Sequence, residues 1–250
     1  MNRRFAILFV LIPLVLFAKV TAAQKKTPHK PKSSGSSCGT HCGTERWGIK
    51  TLTDSGSAAV TAATPTSSTV SKLTSEQAPA HLPQSSRVAP IENQQFTIQA
   101  VLIAWKEEAG AKGDHDFHLV LADPKDHTKT MIAEVPSPQC ASACASGSVE
   151  SFKTARQVLT TELGPAPQVT SAVPVVPPRI IEVTGVGFFD YNHGQDGLAW
   201  NCIEIHPVLK ITFQGQEGSS VIPFQKTANH KCGAPSNPHG GGGKAKTPNS

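Results

Sequence analysis

The chain has 250 residues, 20 of them glycine and 20 proline, and a formal net charge of +5. That length allows one or two domains, but long Ser/Thr/Ala/Pro-rich stretches bury too little apolar surface to offset their ordering entropy, so one folded domain between unstructured tails is expected. The charge is unevenly spread: between Arg87 and Gln214 nine basic side chains stand against fourteen acidic ones, a net −5, and lysines crowd into the two ends. A folded face of that sign argues against nucleic acid as a partner.

In chain order, residues 1–23 read as a secretory signal peptide. Met1 to Arg4 give a positive start, an apolar run of 14 residues extends from Phe5 to Ala18, and Val20-Thr21-Ala22-Ala23 offers small residues for cleavage. A spanning helix needs about 20 apolar residues, and Pro13 interrupts this run. The mature product is therefore expected to be secreted or periplasmic, with no membrane span once the signal is cleaved. Losing Arg3, Arg4 and Lys19 lowers the formal charge from +5 to +2. Residues 24–44 form a basic, Ser-rich linker containing CGTHC. It reads as a solvated spacer, with weak contact to anionic envelope polymers as the alternative. Residues 45–86 begin with a docking segment anchored by Trp47 and continue as a low-complexity linker with one short helix near residues 70–73.

From Arg87 the texture changes. Strand-forming runs lie at residues 96–105, 117–122 and 130–135. Residues 149–163 place Phe152, Ala155, Val158, Leu159 and Leu163 at helical spacing, and Gly164 with Pro165 stops the helix. Two further strands are expected at residues 179–190 and 202–213, the first with Gly185 and Gly187 marking a bend or a close backbone approach. The order β-β-β-α-β-β is that of an OB-like five-stranded β-barrel. The expectation is thus a mainly β fold, with the barrel at residues 87–214 and a polar tail at residues 215–250. An open antiparallel sheet with the helix on one face is the alternative topology.

The stretches DFHLVLAD, TMIAEVP and VTGVGFFD, followed by HGQ, Asn201 and IEIHPV, resemble a group of exported bacterial proteins. The resemblance runs from about Trp47 to Phe213, is weak around residues 140–175, and carries no activity with it. The tails and most of the cysteines fall outside the shared pattern.

An even number of cysteines in an exported chain favours disulfides, and here there are six: Cys38, Cys42, Cys140, Cys144, Cys202 and Cys232. The motifs CGTHC and CASAC each offer a small local loop, which would leave Cys202 with Cys232. Metal ligation is the rival reading, favoured slightly by His41 but lacking a zinc-type spacing.

Polar chemistry gathers in the loops at residues 107–116 and 190–197 and on the strands beside them. Residues two apart on a strand share a face, so Asp116 with His118, and Glu204 with His206, form two acid-x-His pairs opposite apolar phases. Together with Asp190, His193 and Asn201 they are the candidate ligand or metal residues. Imidazole and carboxylate suit zinc or another divalent metal. The structural alternative is that they only pin the loops to the barrel. Trp105 reads as packing and Trp200 as an exposed loop residue. No catalytic motif occurs. The expected function is therefore a secreted or envelope binding module acting on an envelope polymer or small ligand through its loop face. The alternative is a metal-dependent hydrolase, nuclease-like, with a His/Glu site.

Overall fold

The structure, a computed structural model, describes residues 38, 39, 43, 45–109 and 113–224. The signal segment 1–23, most of the linker 24–44, Cys42, Cys232 and the tail beyond residue 224 lie outside the described residues. Among the described residues no helix is long and apolar enough to cross a membrane.

The fold is mainly β. Two short helices, α1 (Trp47–Lys50) and α2 (Ser57–Ala62), precede strand β1 (Thr66–Thr69) and helix α3 (Val70–Leu73). The long strand β2 (Gln95–Glu107) follows, then β3 (Phe117–Asp123), β4 (Asp126–Val135), α4 (Ala141–Ala145), α5 (Val149–Leu163), β5 (Val173–Phe189) and β6 (Ile203–Gln216). The sheet is six-stranded and mixed, in the order β1-β2-β3-β4-β6-β5, and a further β2–β5 pairing closes β2, β3, β4, β6 and β5 into a hydrogen-bonded ring. β4 and β6 run parallel, and the other ring pairs are antiparallel. β2 pairs with β5 along one edge and with β1 and then β3 along the other, and its register shifts between Leu102 and Ala104 in the β3 and β5 ladders, the local bend that a bulge introduces.

The main core draws on all five ring strands, with Leu102, Leu119, Ala133, Val183 and Ile205 among its members. α5 presents Ala155 and Leu159 to it, as its helical spacing requires, and ends at Gly164, whose φ of 87° only glycine adopts readily. Gly187 marks the expected close approach: a Cβ there would lie 2.8 Å from the Ile91 carbonyl oxygen and the Phe96 ring.

Three features differ from the sequence expectation. The linker at residues 45–86 contains β1, which adds in parallel to β2 through pairs such as Thr66 with Phe96; its Thr/Ser composition has the β-branching of a strand but none of the apolar alternation. That segment also buries Val60, Val70, Leu73 and Leu82. Finally, the CxxxC motifs do not close local loops, because Cys38 pairs with Cys144 across 106 residues. Cys144 lies one helical turn beyond Cys140 and donates its N–H to the Cys140 carbonyl. That spacing sets Cβ atoms about 5–6 Å apart, too far for a disulfide at roughly 3.5–4.5 Å. Gly39 bridges Cys140 instead, with Gly39 N–H donating to the Gln139 carbonyl at 2.6 Å. Cys140 and Cys202 are also disulfide-bonded.

Candidate metal centre

Strand register assembles the centre. On β3, Phe117, Leu119 and Leu121 face the main core, so His118 faces outward. On β4, Met131, Ala133 and Val135 face the core and Glu134 faces outward; on β6, Ile203 and Ile205 face the core, with Glu204 and His206 on the other side. His118 pairs directly with Glu134 across the antiparallel ladder. Ile132 pairs with Glu204 across the parallel one, which carries Glu134 beside His206 two residues on. Two histidines thus flank one carboxylate on three adjacent strands.

The contacts follow from that placement. His118 Nδ1 lies 3.0 Å from Glu134 Oε1, and its Nε2 donates to the Asp196 carbonyl at 2.9 Å. His206 Nδ1 lies 2.9 Å from Glu134 Oε2 and 3.8 Å from Glu204 Oε2, and its Nε2 lies 3.3 Å from Asp116 Oδ2. The His206 contacts are close but misaligned for N–H···O bonds. Among the described residues neither His206 nitrogen, neither Glu204 oxygen, nor Asp116 Oδ2 meets a hydrogen-bond partner. All of these side chains are buried: His118, His206 and Asp116 at 0%, Glu204 at 1% and Glu134 at 4% exposure.

The segment before the sheet closes over this face. Lys50 of α1 reaches Asp190 Oδ2 at 2.9 Å, nearly buried, and lies 5.4 Å from the Phe188 ring centroid. Arg46 clamps the same segment down. It grips Glu92 through two contacts of 2.6 Å and donates to the carbonyls of Pro83, Ser86 and Phe189. Asp116 Oδ1 accepts the Ser137 N–H at 2.9 Å, fixing the loop that enters β3.

Burial and crowding of like charge set the protonation of the cluster. Burial pushes the Glu204 carboxyl up, and Asp190 and Glu134 add to it, so that it titrates at about 7. Asp114 is raised to about 8, by burial and then by Asp116 and Glu134. Burial acts to raise Glu134 as well, but the flanking His118 and His206 outweigh it and hold it well below the usual carboxylate range. Burial acts to lower both histidines; Glu134 overrides this for His118, and Asp116, Glu134 and Glu204 together override it for His206, so both are raised. Lys50 behaves in the same way, with burial outweighed by Asp190, Glu134 and Glu204.

Of the residues expected from sequence, Asp116, His118, Glu204 and His206 converge here, and Asp190 borders them through Lys50. His193 does not join them. Its side chain is 53% exposed and its Nε2 lies 3.8 Å from Asp190 Oδ2. Asn201 is structural, its Nδ2 donating to the carbonyls of Leu73 and Glu76 at 3.0 Å each. Glu134, Glu108 and Lys50 escaped the sequence reading. Glu134 was findable, because the period-two argument applied to the intervening strand gives it the phase opposite to Ala133. Lys50 carries no comparable signal, since its place depends on how α1 folds back.

Among the described residues, three groups could hold a metal ion: Asp116, Glu134 and His206, all buried; Glu108, His118 and Glu134; and the more exposed Glu45, Asp190 and His193. The donor atoms of each group lie within 4.8 Å of one another. A separate cavity of about 540 Å³ is bordered by Thr74, His127, Leu198, Trp200 and Phe224, and no residue of the cluster lines it. Trp200, 57% exposed, stands at its edge, donating its indole N–H to the Thr74 carbonyl at 2.6 Å.

No family model matches the chain, and no curated protein matches it. A solved structure from Leishmania major Friedlin, assigned as an aspartyl-tRNA synthetase, is similar over 63% of this chain at 14% identity with a TM-score of 0.35. The match covers 22% of that protein's length, and a likeness of this degree carries no functional argument.

Proposed function

We propose that the protein is an exported, OB-like metal-binding module. Its ligand is a divalent transition ion, zinc first among them, held by Asp116, Glu134 and His206 with Glu204 beside them. The closed strand ring, antiparallel except at β4–β6, supports the OB-like reading. Disulfides at Cys38, Cys140, Cys144 and Cys202 support an extracytoplasmic location.

The observation that carries the metal reading is the unmet polarity of Glu204 and His206 inside the cluster. A buried carboxylate without a partner is costly, and it is rarely left so without a reason. The cluster is also short of positive charge: among the described residues, Asp116, Glu134, Asp190 and Glu204 are buried around one ammonium, Lys50. A divalent cation answers both needs. Two ligands on one tetrahedral zinc stand about 3.3 Å apart, given bonds of roughly 2.0–2.1 Å; the His206 Nδ1 contacts of 2.9 Å to Glu134 and 3.8 Å to Glu204 bracket that spacing, and Asp116, Glu134 and His206 offer donor atoms within 4.8 Å of one another.

Binding is favoured over hydrolysis because a hydrolytic metal keeps a coordination position open to substrate. Here every donor side chain is at most 6% exposed. The test is elemental analysis of protein purified without chelator, followed by zinc titration of the stripped form. At least one equivalent per chain is expected, lost in His206→Ala with the circular dichroism spectrum retained. Protein that carries no metal and takes up none refutes the reading, and the cluster is then a proton-sharing ion-pair network.

A further inference from the structure

We propose that this centre is dinuclear: Glu134 bridges two divalent transition ions, one on His206 and one on His118. This rests on the reading of the cluster as a metal centre and goes beyond it in naming a second ion with its own ligands.

The geometry of Glu134 points to the bridge. Its two oxygens serve different histidines, Oε1 facing His118 Nδ1 at 3.0 Å and Oε2 facing His206 Nδ1 at 2.9 Å. Two candidate metal groups share this one residue. A carboxylate that gives one oxygen to each of two ions is the arrangement of two-metal sites, whose ions stand about 3.5–4 Å apart.

The second ion has a complete first set of donors. His118 Nδ1 lies 3.0 Å from Glu134 Oε1 and 3.5 Å from Glu108 Oε1, on either side of the roughly 3.3 Å expected between ligands of one zinc. His118 is also held in the tautomer that such a role needs. A carbonyl oxygen only accepts, so the 2.9 Å contact from Nε2 to the Asp196 carbonyl puts a proton on Nε2. With Nε2 protonated, Nδ1 meets Glu134 Oε1 either as the second N–H of an imidazolium or, once deprotonated, as a lone pair placed to ligate an ion held by the same carboxylate. Metal-bound histidines are oriented in this way by a carbonyl on the far nitrogen. On the other side, the buried Glu204 oxygens and His206 nitrogens, without hydrogen-bond partners among the described residues, mark the first ion's position independently of those contacts. Lys106 Nζ approaches Glu108 Oε1 at 3.1 Å, so Glu108 shares its charge between the ammonium and the ion.

The experiment is zinc titration of the chelator-stripped, disulfide-intact mature chain by calorimetry, with bound metal counted by elemental analysis. The same protein loaded with Mn(II) is examined by electron paramagnetic resonance. Two equivalents per chain and an exchange-coupled Mn(II) signal are expected. Glu108→Gln, at a partly exposed side chain that leaves the fold intact, should weaken the second equivalent about 10-fold or more and leave the first unchanged. His118→Ala should remove the second altogether. A single equivalent with an isolated Mn(II) signal overturns the dinuclear proposal and leaves the metal centre standing. Two equivalents indifferent to both variants overturn it as well. No binding at all overturns the metal reading itself.

Discussion

Replacing Glu204 by glutamine should stabilise the metal-free protein while removing its metal. The carboxyl is 1% exposed, neither oxygen has a hydrogen-bond partner among the described residues, and its titration moves from 4.5 to about 7. A folded-state value raised above the unfolded one means that the contribution is fully present below about pH 4.5 and is lost as pH climbs through 7. Holding this carboxyl at about 7 rather than 4.5 corresponds to about 3 kcal/mol. Urea denaturation of stripped wild type and Glu204→Gln at pH 4.5 and pH 8 measures it. The two proteins should match at the lower pH, and the variant should be more stable by about 3 kcal/mol at the higher. His118, also raised but not by Glu204, imposes a fall with rising pH on both proteins and cancels in the difference; His206, raised partly by Glu204, keeps only its Asp116 and Glu134 contributions in the variant, which trims the difference. Zinc at 100-fold excess over its dissociation constant should then add about 2.7 kcal/mol to wild type and far less to the variant. A variant less stable than wild type at pH 8 without metal refutes the reasoning, because the carboxylate would then be satisfied as it stands.

Lys50→Met should destabilise by about 3–5 kcal/mol, since it leaves Asp190 buried without its ammonium; a loss under 1 kcal/mol in chemical denaturation would show the pair to be dispensable. Gly187→Ala should cost about 1–3 kcal/mol through its collision with the Ile91 carbonyl and Phe96, and an unchanged thermal midpoint would contradict the close approach. Cys38→Ser releases a cross-link spanning 106 residues and should cost about 2–4 kcal/mol, read by calorimetry against the oxidised parent; equal stability would mean that the segment before α1 is held by other contacts.

Much of the sheet was legible because its signals are local. Helix α5 spans the residues its 3.6-residue spacing marks, and the ring strands coincide with the apolar runs to within a few residues at most ends. The partial exception is β5, which begins at Val173, in a Pro/Val-rich stretch whose prolines obscure strand character. Four of the seven candidate site residues met for a similarly local reason: alternation places Asp116 with His118 and Glu204 with His206. What brings the two pairs together is not local. It is the parallel β4–β6 register, which puts Glu134 between the histidines. His193 and Asn201 misled because loop residues rich in hydrogen-bonding groups look alike in sequence, whether they bind a ligand or their own backbone. The Cys38–Cys144 pairing was hidden by a spacing that suggests a small loop until α4 is seen to hold Cys140 and Cys144 apart.

The charge of the cluster links its protons to its metal. With both imidazoles neutral and Asp116, Glu134, Asp190 and Glu204 ionised, Lys50 leaves the buried group at −3. Protonating both histidines brings it to −1, and so does a single divalent ion on neutral ligands. Protons and metal are therefore alternative answers to one electrostatic deficit, and they should compete. At pH 6 the raised His206, and Glu204 at about 7, hold protons that zinc must displace, because ligands bind metal deprotonated. Calorimetric titration of zinc at pH 6 in buffers of different ionisation enthalpy should thus show about two protons released per ion at the His206 position. The number should fall as pH rises past 7 and Glu204 gives up its proton. Release independent of pH between 6 and 8 would mean that the ion binds elsewhere than at this carboxylate and imidazole.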